Sequence, residues 1–142
     1  LIHPAFLQES GKFLINTAIV ESNEVDQFTK QIEERYDAIS SVETEFIGMS
    51  GSEVTAAIFK HWNITPNIIN SIKHSDNLSK VLPKFEQRSK ILNIAKLVCN
   101  IVKPFDDRCI ELGREKVEEF GLNLEKFDKA VAKMKVRLSE EL

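Results

Sequence analysis

Long apolar runs, paired cysteines and a surplus of positive charge are all missing from this 142-residue chain. No apolar stretch approaches the roughly 20 residues that a membrane-spanning helix needs. The apolar N-terminal stretch is broken by Gln8, Glu9, Ser10 and Lys12, unlike a secretory signal. A soluble, intracellular protein with no membrane partner is therefore expected. The two cysteines, Cys99 and Cys109, fit neither a disulfide framework nor a C-x-x-C motif and read as buried, inert thiols. Lys and Arg number 19 against 22 Asp and Glu, a net charge of -3, so the cationic excess that usually advertises a nucleic-acid surface is lacking and no nucleic-acid partner is expected. Five glycines and four prolines are too few for a sandwich of many short strands. They are also too dispersed for a phosphate loop or dinucleotide fingerprint, and no G-x-S-x-G elbow occurs.

What is present points to helices. The hydrophobic share is 42% and the charged share 29%, enough for one core and a single domain over 1–142. Phe6, Leu7, Phe13, Leu14 and Ala18 share a face over 4–20, with Pro4 at a first-turn position. Gly11 lies in that face and predicts close approach by another helix, because a mid-helix glycine otherwise costs about 1 kcal/mol. Asn23 is expected to cap a helix reaching position 36. Ser40 with Glu43 and Ser50 with Glu53 both fit capping boxes, the first helix ending at Gly48 and the second near Trp62. On the second, Val54, Ala57, Ile58 and Trp62 share an apolar face, predicted to bury Trp62 against Ala95 and Val98.

Thr65 and Pro66 open the next helix, followed by a polar loop over 75–80. Apolar residues around most of the circumference over 85–103 imply a central helix ended by Pro104. Shorter helices broken near Gly113, a stop at Gly121 and a cap at Asn123 lead to a C-terminal amphipathic helix over 123–142. The chain starts at Leu1 and enters directly into a helical pattern, so it reads as a piece of a longer protein. An uncovered apolar patch is expected on the first and central helices.

A divalent metal centre needs several convergent His and carboxylate ligands. His3, His61 and His74 have no spacing that places two on one helical face. His61 is read as structural, and His74 as complementing a helix dipole. The lysines and Arg137 of the last helix are diluted by Glu125, Asp128, Glu140 and Glu141 and read as a solvated face.

Leu7-Gln8-Glu9-Ser10-Gly11-Lys12 resembles the L-H-D-I-G-K segment of the HD phosphohydrolase superfamily. Glu43-Thr44-Glu45-Phe46-Ile47-Gly48, the helix ending in Trp62, the Thr65-Pro66 start and Ile94-Ala95-Lys96-Leu97 together resemble its HDOD branch, in order and spacing, over most of 1–122. The signature positions are Gly11, Glu43, Glu45, Gly48, Trp62 and Ala95. The resemblance implies an all-α, compact multi-helix HD-like bundle, here lacking its first helices.

The departures from the superfamily pattern fall at Gln8 and Glu9, which replace the metal-binding His-Asp pair, at Gly51, where many members have His, and at Ser75 and Asp76, which replace paired histidines. No catalytic, metal or cofactor-binding residue is expected, and no cofactor. The resemblance implies a cytoplasmic, bacterial, non-enzymatic signalling or regulatory domain that works through a protein partner and is compatible with a homo-oligomer. The competing expectation is a residual phosphohydrolase or nucleotide-binding site using Glu9, Asp76 and ligands from the missing helices.

Overall fold

The structure is a computed structural model that describes residues 7–141, so the expectations placed on His3, Pro4 and Phe6 lie outside the described residues. Eight α-helices and two 3-10 turns occur among the described residues, with no strand, so the fold is all-α. The helices are α1 Lys12–Ser22, α2 Val25–Glu34, α3 Ile39–Ile47, α4 Gly51–His61, α5 Pro66–Lys73, α6 Glu86–Val98, α7 Asp107–Glu119 and α8 Leu124–Glu141. The chain divides into two compact units, Leu1–Asn93 and Ile94–Leu142.

In the first unit, α4 packs on α5 and α1, and α1 also meets α2 and α3. Its core contains Ile15 and Ile19 of α1, Phe28 and Ile32 of α2, and Val42 of α3. Phe28 meets Phe46 edge-on at 5.3 Å, a favoured geometry for two rings. A second cluster joins Phe59, Ile72 and Leu92, with Leu7, Ile64 and Ile68 packed around it. In the second unit, Ile94, Val98 and Val117 form the core, against which Phe127 and Val131 of α8 pack. The broad apolar circumference of α6 is thereby explained: Leu92 enters one core, while Ile94 and Val98 enter the other.

Local signals succeed where a side chain makes the predicted bond. The Glu53 N–H donates to Ser50 Oγ at 3.4 Å, and the Ser50 N–H donates to Glu53 Oε2 at 3.0 Å, completing the box that starts α4. Ser50→Ala should therefore cost about 1 kcal/mol in urea unfolding, and an unchanged midpoint would show that the box contributes nothing. Pro66 opens α5 as expected, although Thr65 makes no side-chain cap bond. Asn123 Oδ1 accepts the Lys126 N–H at 2.8 Å, and Gly121 has φ +66°, so the stop and the new cap before α8 are as read.

Other boundaries are corrected. Asn23 does not cap α2 through its side chain: it has φ 62° and closes α1 as a left-handed C-cap. Ser40 lies inside α3, and Glu43 turns inward to be buried. The long helix ends at Val98, before Pro104, because the Asn100 side chain gathers the turn. Its Oδ1 accepts the Lys103 N–H at 2.8 Å, and its Nδ2 donates to Leu97 O at 3.1 Å. No break occurs at Gly113, which is buried within α7 beside Val98 and Phe127. Cys109 is buried as expected, but Cys99 is exposed.

Candidate functional site

The start of α1 lies against the N-terminal turn of α4 with almost no space between them. The Gly11 N–H donates to Thr55 Oγ1 at 2.8 Å. The Thr55 hydroxyl in turn lies 2.8 Å from Gln8 O and 2.7 Å from Gly51 O, so its single proton serves these two carbonyls. A Cβ on Gly11 would sit 2.4 Å from Gly51 O, and the close helix approach inferred from this glycine is therefore present.

Beside this contact lies a polar cluster. Lys12 Nζ reaches Glu43 Oε1 at 2.5 Å and Glu9 Oε2 at 3.2 Å. The other oxygen of Glu43 accepts the Gly51 N–H at 2.6 Å, so this side chain, only 2% exposed, ties α1, α3 and α4 together. Burial alone would lower the Lys12 pKa, but the charges and hydrogen bonds of Glu43 and Glu9 outweigh it and hold the ammonium above the ordinary lysine value. Gln8 Oε1 and Glu9 Oε1 are buried without a hydrogen-bond partner. Further along α4, Ser52 Oγ and Ser75 Oγ are hydrogen-bonded at 2.9 Å, and Asn93 Nδ2 donates to Ser75 O at 2.7 Å.

Thus Gln8, Glu9, Gly11, Glu43 and Gly51 come together, and Ser75 joins the next residue of α4. Half-buried Asp76 follows Ser75 in the chain. Four signature positions lie elsewhere, Trp62 among them in the groove described below. Glu45 is exposed and takes both guanidinium nitrogens of Arg35, at 2.7 and 2.8 Å. Gly48 ends α3 with φ +80°, and Ala95 belongs to the second unit. Of the two residues that hold the cluster together, Lys12 closes the Leu7–Lys12 segment quoted above, whereas Thr55 carries no motif that marks it in the sequence. The signal for Thr55 was the run of small residues Gly51, Ser52, Thr55 and Ala56 on one face of α4, the face that is buried.

This donor set does not fit the divalent metal of the HD phosphohydrolases. Glu43 is already engaged by an ammonium and a backbone N–H, Gln8 offers only a neutral carbonyl, and Glu9 is one carboxylate. Among the described residues no three His, Cys, Asp or Glu side chains are grouped so as to hold a metal. His74 stands at the C-terminal end of α5, and its pKa is lowered first by burial and then by Lys73 and Lys80.

A groove of about 730 Å³ lies next to the cluster, lined by Phe13, Leu14, Met49, Ile58, His61 and Trp62 among others. Phe13 is 80% exposed and Trp62 is 62% exposed. The burial predicted for Trp62 is thus overturned: Phe59, three residues earlier, takes the core position, and the Trp62 ring stacks on it at 6.3 Å. An uncovered apolar patch occurs on α1 as expected, but its other side is α4 and not the central helix α6, which carries none of the exposed large hydrophobic side chains among the described residues. Trp62→Ala is accordingly expected to change thermal stability by about 1 kcal/mol or less and to reduce binding of a hydrophobic dye. A loss near 3 kcal/mol, about the cost of deleting a core ring, would refute the exposed placement.

The features above define an all-α helical domain with Gln8, Glu9, Lys12 and Glu43 gathered at the contact of α1 with α4. A family model described as HDOD domain matches residues 3–78, more than half of the chain, and the chain belongs to the HDOD family. No curated protein matches it. Among solved structures it is similar to a virulence factor from Campylobacter jejuni subsp. jejuni, with a TM-score of 0.65 and 15% identity. The match covers 89% of this chain and 49% of that one, so the chain spans about half the length of its structural neighbour. Among the described residues no helix is long and apolar enough to cross a membrane.

Proposed function

We propose that this chain is a non-catalytic regulatory domain of bacterial signal transduction, acting in the cytoplasm by holding a signalling protein. The observation that carries the reading is the Lys12 ammonium seated between Glu9 and Glu43. A tethered cation already neutralises the carboxylates that a hydrolytic metal would have to claim, and displacing it means separating a largely buried ion pair. The exposed side chains of Phe13, Leu14, Met49 and Trp62 supply the apolar contact that a protein partner buries. Membership in the HDOD family supports the same reading.

One observation favours a second reading. The unpartnered oxygens of Gln8 and Glu9 are acceptors that a bound cation or substrate donor could satisfy, as a residual phosphohydrolase or nucleotide-binding site would require. Purified protein should be assayed for bound transition metal and for phosphodiesterase turnover with added Mn²⁺, beside Glu9→Gln. No stoichiometric metal and no turnover are expected. Stoichiometric metal with turnover abolished by Glu9→Gln would overturn the non-catalytic reading.

A further inference from the structure

We draw no further inference here: the strongest candidate, the apolar groove between α1 and α4 lined by Phe13, Leu14, Met49, Ile58 and Trp62, belongs to the site already described, and nothing in the structure shows what covers it.

Discussion

Gly11→Ala should destabilise the first unit by about 3 kcal/mol, the upper part of the range for forcing extra volume into a packed interior. Two effects oppose each other at this position. The backbone has φ -64° and ψ -22°, which any residue adopts, so alanine would gain up to about 1 kcal/mol through reduced unfolded-state entropy. Against that, the new methyl would lie 2.4 Å from Gly51 O and 2.7 Å from the Thr55 backbone nitrogen. Both obstacles are backbone atoms, which cannot rotate away, so α1 must lift from α4 and stretch the bond from the Gly11 N–H to Thr55 Oγ1. The steric loss therefore wins. Urea unfolding followed by circular dichroism reads the difference, and a midpoint equal to or above that of the parent protein would show that the two helices separate at no cost.

The same contact shows what was legible in the sequence. The close approach at Gly11 was readable from a glycine within a helical pattern, although Gly11 is the N-cap of α1, which begins at Lys12, and is not a mid-helix residue; the Ser50 box was readable because both of its bonds are local. The buried face of α4 was misread for a physical reason. Its core side is made of Gly51, Ser52, Thr55 and Ala56 with the single large residue Phe59, small groups that let another helix approach closely. Its more hydrophobic residues, Ile58 and Trp62, line the groove. Periodicity finds the apolar stripe and assigns it to the core, so it reverses the faces when the tightest packing is made by small polar residues. On α1 the same inversion sends Phe13 and Leu14 outward while Ile15 and Ile19 fill the core. The Lys12–Glu43 pair was beyond any local reading, because its partners are 31 positions apart and only the fold brings them together.

Glu43→Leu is expected to cost about 3–5 kcal/mol, the loss seen when one member of a buried pair is removed. It leaves the largely buried Lys12 with Glu9 alone and takes the side-chain acceptor away from the Gly51 N–H. Lys12→Met should also destabilise, since Glu43 is then a buried carboxylate with one remaining donor. The double variant should lose less than the sum of the two by about 2 kcal/mol, because the buried carboxylate and the ammonium are then both gone and only the partly exposed Glu9 has lost its partner. Simple additivity would mean that the pair does not act as a unit. Titration to high pH gives an independent test. The Lys12 pKa is raised above 10.5 in the folded protein, so its contribution is complete below that value and is lost as pH rises through the folded pKa. The stability gap between the parent protein and Lys12→Met should therefore be constant at neutral pH and narrow in strong alkali. A gap that stays constant into that range would show that the charge on Lys12 does not stabilise the fold, and the tethered-cation account of the cluster would fall with it.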